Sequence, residues 1–183
     1  MKCIFVNIFF LSKDPNECAQ QHVDKHVVKM ILEYAQLLST AHRVIDGVSS
    51  IDRGGATGRQ RTTYILPDSR DDVLYRATHV NHPSAVWVRQ RESHYRWLFG
   101  LWIALMDEYT YRYGKVHASS RLIGYLNSPP KNIEFGGGFD NPPPAMPDEY
   151  KASTTVQSYR NYYLGPKKSF ASWKKRETPT WFV

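Results

Sequence analysis

Cysteine is scarce in this chain: Cys3 and Cys18 are the only two, and they form no CxxC pair. That excludes a disulfide-stapled scaffold and a zinc site built from cysteines, and it favours a reducing compartment. Long apolar runs are missing too. The opening MKCIFVNIFFLSKDP holds one short hydrophobic stretch without a small-residue cleavage site, far short of the about 20 residues that span a bilayer. The expectation is a cytoplasmic protein with no membrane partner. Acidic residues are the scarcer charge, 17 against 24 Lys and Arg, and the resulting formal charge of +7 favours a polyanionic partner such as nucleic acid. Internal repeats and a linker between domains are also lacking. What is present, 42% hydrophobic and 14% aromatic residues in 183, is enough to build one core, so a single domain over 1–183 is expected.

The coarse pattern is that of an all-α domain with a short N-terminal extended segment and long loops. IFVNIFFL, residues 4–11, reads as a buried strand or extended segment. Asp14 as N-cap, Pro15 at the first helical position and Glu17 at the third then start a helix to about Ile45, with a break near Val23. Residues 46–72 are rich in glycine, serine and arginine and read as a surface loop. A second long helix runs from Pro83 to Tyr113 with Gly114 as its stop, burying Trp87, Leu98, Trp102 and Met106. A short helix over SSRLIGYLN follows, then a proline- and glycine-rich stretch at 128–147, then helix-compatible sequence to the end.

The first helix carries the chemistry. His22, His26, Lys29, Glu33, Gln36, Thr40 and Arg43 recur in steps of three and four and form one stripe, opposite Val27, Met30, Ile31, Tyr34, Leu38, Ala41 and Ile45. Such a stripe is compatible with the wet side of an amphipathic helix. Its composition is less ordinary, because imidazoles, one carboxylate, an amide and an arginine replace the usual Lys and Glu. A carboxylate flanked by a cation and by donors suits a base, or an electrostatic partner for developing positive charge. Glu33 is the candidate catalytic carboxylate, with His26 and Lys29 beside it.

Further groups point to nucleic acid. His79, Asn81 and His82 precede a helix start, where backbone N–H groups attract anions, and Arg89 lies on the same helix; the alternative for this motif is a side-chain cap. The C-terminal tract interleaves Tyr159, Arg160, Lys167, Lys168, Lys174 and Lys175 with further aromatics, which suits phosphate neutralisation with stacking, or else a packed terminal segment with solvated lysines. His22 and His26 also have the i, i+4 spacing of a helical metal pair, which His79, His82 or Glu33 could complete.

Several patches resemble one family. VNIFFLS leading to His26 and Glu33, the segment HVNHPSAVWVRQR, the stretch EYTYRYGKV and the close TPTWF are similar to the phage and bacterial pyrimidine-dimer DNA glycosylases that also cleave abasic sites. The resemblance implies a mostly helical domain that grips bent duplex DNA, flips a nucleotide and breaks its glycosidic bond with no metal or cofactor. It also implies an N-terminal amine that attacks C1′ to form a Schiff base, and a glutamate in the first helix, here Glu33. An α-amino group suits the attack because its pKa of about 8 leaves part of it neutral at pH 7. His22, Gln36, Arg43, His79, Asn81, His82 and Arg89 become candidate DNA contacts, with His26 and Arg43 positioning the phosphodiester.

The chain departs from that pattern at the nucleophile, since Met1, Lys2 and Cys3 precede VNIFFLS. Met1 reaching in from a longer arm, Lys29 in its place, or no imine chemistry are the options; an ammonium paired with a carboxylate is a poor nucleophile. The leading expectation is a monomeric enzyme acting on duplex DNA through Glu33. Its rivals are a metal-dependent phosphohydrolase or nuclease built on the histidines, and a non-catalytic nucleic-acid-binding protein using the basic C-terminus.

Overall fold

In a computed structural model, which describes residues 7–53 and 60–182, the protein is mainly helical. Met1 and Cys3 lie outside the described residues. The first helix is split as expected. Helix α1 covers Pro15–Gln21 and α2 covers Asp24–Asp46, with His22 and Val23 in extended conformation between them. The Asp14 carboxylate accepts from the Glu17 amide at 2.8 Å, and Glu17 in turn accepts from Ser12 and Gln21 rather than from Asp14. The start is therefore fastened by a chain of local bonds in place of a closed capping box.

The expected loop at 46–72 is corrected. Strands β1 (Val48–Arg53) and β2 (Gln60–Ile65) pair antiparallel from Val48 opposite Ile65 to Arg53 opposite Gln60, and the short helix α3 (Arg70–Val73) follows. The expected second long helix is also in two pieces, α4 (Pro83–Gln90) and α5 (Glu92–Tyr113). Arg91 between them is extended (φ −148°, ψ 151°) because its guanidinium reaches Gly138 O and Asp140, while the Glu92 amide donates to Glu134 O. Gly114 closes α5 with φ 67°, as its position predicted. A 3-10 turn at Ala118–Leu122 runs into α6 (Ile123–Leu126), and α7 (Thr155–Leu164) begins at the Thr154 cap. Of the expected segment 4–11, residues 4–6 lie outside the described residues, and 7–11 are buried but belong to no strand.

Helix α2 lies at the centre, packed on α5 and α4, while α1 packs on α5 and the hairpin leans on the C-terminal end of α2. The Trp102 indole, fully buried, donates to Ile31 O at 3.0 Å and pins α5 to α2. Each large apolar side chain taken out of water contributes about 1.5–3 kcal/mol, so the apolar residues shared by α2 and α5 add substantially to stability. At the corner between α1 and α2, the buried Arg112 guanidinium donates to Gln20 O, His22 O, Asp24 and Glu108, and Arg176 of the C-terminal tail joins the same Glu108. No helix among the described residues is long and apolar enough to cross a membrane.

Buried imidazoles make this fold sensitive to acid. His22 donates from Nδ1 to Cys18 O and receives the Tyr34 hydroxyl at Nε2, and burial lowers its pKa from 6.5 to about 4. Burial, and next the Arg70 guanidinium, do the same to His42, again to about 4. Both are neutral when folded and protonate readily when unfolded. The stability they support is complete above pH 6.5 and is lost as pH falls toward 4. Each contributes about 3 kcal/mol across that window. Urea melts at pH 7 and pH 4.5 should therefore give a clearly lower midpoint in acid; equal midpoints would show that the imidazoles accept protons inside the folded protein.

Candidate active site

The residues of the α2 stripe are neither a wet face nor a single binding surface. His26, Lys29 and Glu33 share one face, Met30, expected on the opposite side, joins them at i+4 from His26, and the chain lays three other segments across this face. Asn7 and Phe9 come from the N-terminal segment, Tyr162 from α7 and Lys167 from the tail beyond it. Together these eight residues line a partly open cavity of about 100 Å³, large enough for a few waters or one reacting group.

Local bonds hold each wall. The Phe9 amide donates to the Tyr34 hydroxyl, and the Asn7 amide donates to Ala145 O at 2.8 Å while its oxygen receives the Tyr159 hydroxyl. His26 stacks on Phe9 with ring centroids 4.1 Å apart, and its Nδ1 lies 2.7 Å from the Tyr163 hydroxyl. Burial holds this imidazole well below its ordinary pKa, with His22 and Lys167 acting in the same direction, so His26 is neutral at pH 7. Gly165 lets the tail turn closely past Tyr150: a Cβ there would meet the ring at 2.5 Å, and Tyr150 in turn packs on Tyr162.

Glu33 is the unusual member. Its Oε1 pairs with Lys29 Nζ at 2.9 Å, while Oε2 is buried and finds no donor among the described residues. A buried oxygen left without a donor costs about 1–3 kcal/mol, more for a charged group, so this carboxylate has unused capacity to accept a donor or face a positive charge. Burial, and next the charge of Lys29, push the Lys167 ammonium below the usual lysine range. The cavity is thus lined by a carboxylate with one unpartnered oxygen, by the ammonium paired with it and by a second ammonium that burial disfavours.

A second, mostly apolar cleft of about 560 Å³ is lined by His82, Pro83, Pro144, Ala145, Met146, Pro147, Lys151 and Tyr162. Tyr162 is a wall of both spaces, and Ala145 of this cleft accepts the Asn7 bond from the other. His82 reaches the cleft while capping α4, its Nδ1 accepting from the Ser84 amide at 3.2 Å. His79, with φ 49°, and Asn81 are exposed beside it, and the Arg89 guanidinium is engaged by Val80 O.

Three expected DNA contacts are corrected. Arg43 is fully buried, and its five donor groups are spent on Tyr75 O, Tyr64 O, Asp71 O, Leu74 O and the Asp71 carboxylate. His22 is buried with both ring nitrogens bonded. Tyr159 is buried and ties Asn7 to Pro143 and Ala145. All three hold the fold together and present no free polar atom to a phosphate. Gln36 is half-buried, and Lys168, Lys174 and Lys175 are exposed. Among the described residues no three His, Cys, Asp or Glu side chains gather as a metal site, and His22 Nε2 and His26 Nδ1 bond to separate tyrosine hydroxyls.

The C-terminal cations gather elsewhere. Arg160 and Lys175 line an open cleft of about 530 Å³ with Arg176, Glu17 and Trp181. Lys174 lies 5.2 Å from the Tyr113 ring centroid, while Lys175 donates to Tyr111 O. Sequence reasoning did not select Asn7, Phe9 or Tyr162 for the carboxylate cavity, because only the tertiary fold brings them to Glu33.

The chain matches no protein-family model, no curated protein and no solved structure.

Proposed function

We propose that the protein is a DNA-repair or DNA-processing enzyme, a base-excision glycosylase with abasic-site lyase activity on duplex DNA, in which Glu33 is the catalytic carboxylate. The observation that carries the reading is Glu33, whose buried Oε2 has no hydrogen-bond partner among the described residues, lining a cavity with two lysines. Breaking a glycosidic bond builds positive charge on the sugar, and a carboxylate oxygen with no other partner is placed to stabilise it. An amine in the same cavity, once it gives up its proton, is the complementary nucleophile. The cleft beyond Tyr162 supports the reading through its size and apolar walls, which suit a flipped base. The chain's positive charge favours the duplex itself. On this reading the enzyme works as a monomer in the cytoplasm, that of the host cell if phage-encoded, and needs no cofactor.

The test is borohydride trapping, in chelator, on duplex DNA carrying one pyrimidine dimer or one abasic site, with intact duplex as control. A covalent adduct and strand cleavage are expected on at least one damaged substrate. Neither adduct nor cleavage on either would reject the reading for these lesions.

The basic cleft at Arg160, Lys175 and Arg176 favours a second reading, nucleic-acid binding without turnover. Both readings predict that Lys174→Ala combined with Lys175→Ala weakens binding to any duplex and flattens its log–log salt dependence by about 1 for each phosphate no longer neutralised. Binding measured from low to moderate salt checks this, and an unchanged slope would deny these lysines a phosphate role. Turnover separates the two readings.

A further inference from the structure

We infer that Lys167 is the amine that bonds to C1′ of the damaged nucleotide, an inference that rests on the excision reading above. Three amines compete for the role. Met1 lies outside the described residues. Lys29 is held by Glu33 at 2.9 Å, and its side chain is 60% exposed. Lys167 lines the same cavity as Glu33, is half-buried, and packs its Nζ against aromatic faces, 4.9 Å from the Tyr162 centroid and 5.9 Å from that of Phe170. Among the described residues it forms no ion pair. The ring faces attract the charged form, whereas burial, the neighbouring Lys29 ammonium and the absence of a paired carboxylate disfavour it, and the downward direction of its pKa follows burial and Lys29.

The chemistry balances on these groups. The Lys167 lone pair forms the N–C1′ bond as the glycosidic bond breaks, and the base leaves with that bond's electron pair and takes up the proton the amine gives up. The nitrogen then forms a double bond to C1′ as the C1′–O4′ bond opens, and its remaining proton passes to O4′; Glu33 is placed to carry it. On an abasic site the same amine adds to the C1′ aldehyde and expels water. Both routes end in one imine, which borohydride reduces to a stable secondary amine.

The experiment is trapping of the wild-type protein on abasic duplex, followed by proteolysis and mass mapping of the modified residue. The adduct is expected on Lys167. Lys167→Arg, which keeps the charge but forms no imine under these conditions, should lower adduct yield by about 100-fold or more, with an unchanged far-ultraviolet spectrum confirming the fold. Lys29→Arg should still give an adduct on Lys167. An adduct on Met1 or Lys29, undiminished trapping in Lys167→Arg, or cleavage with no adduct would overturn the inference and leave excision standing. Neither adduct nor cleavage by the wild type on dimer or abasic DNA would overturn both.

Discussion

Glu33→Gln should lose turnover by on the order of 10³-fold, while binding to damaged duplex and the unfolding midpoint stay close to wild type. The substitution keeps the shape of the side chain and removes its charge, so an amide replaces the carboxylate that pairs with Lys29. Lys29 gives up its partner, but that ammonium is mostly in water, so the variant leaves no buried unpaired charge behind. The unpartnered Oε2 position is left unpartnered in the variant, so folding gains and loses little there. Single-turnover kinetics beside a thermal melt separate the outcomes. Activity within a few-fold of wild type would refute the assignment, and a collapse of the melt would make Glu33 a structural residue.

How much of this site could be read in the chain depends on sequence distance. The grouping of His26, Lys29 and Glu33 is local, since helical periodicity alone puts them on one face. Their burial is not local. The segments that roof them are Asn7 and Phe9 on one side and Tyr162 and Lys167 on the other, and the His26 to Tyr163 bond joins residues 137 apart. Polar periodicity reports a face and cannot say whether water or another segment covers it. The same reason explains the break at Arg91, where no proline or glycine marks the site and the contacts that impose it come from Glu134, Gly138 and Asp140. The hairpin escapes a sequence reading for a different reason. VSSIDR and QRTTYI are short, polar and flanked by glycines, so they read as loop until paired, and Val48, Ile51 and Ile65 stay exposed even then.

Arg43 offers the sharpest contrast between what the stripe implied and what the fold does with it. Had this guanidinium met a phosphodiester, Arg43→Lys would preserve the charge, weaken DNA binding modestly and leave folding alone. Its surroundings predict the reverse. The planar fork satisfies three backbone carbonyls around α3, one on β2 and the Asp71 carboxylate at once, tying the C-terminal half of α2 to the hairpin and to α3. A lysine has three donors and no fork, so several of these acceptors go unpartnered, and alanine abandons all of them. Arg43→Ala should destabilise by about 3–5 kcal/mol and Arg43→Lys by a smaller but still large amount. For a chain of this size that corresponds to a fall of on the order of 10 °C in Tm for alanine. Under conditions where the variants remain folded, their affinity for duplex should match wild type. A normal Tm with weakened binding would return Arg43 to the DNA interface, which its complete burial now argues against.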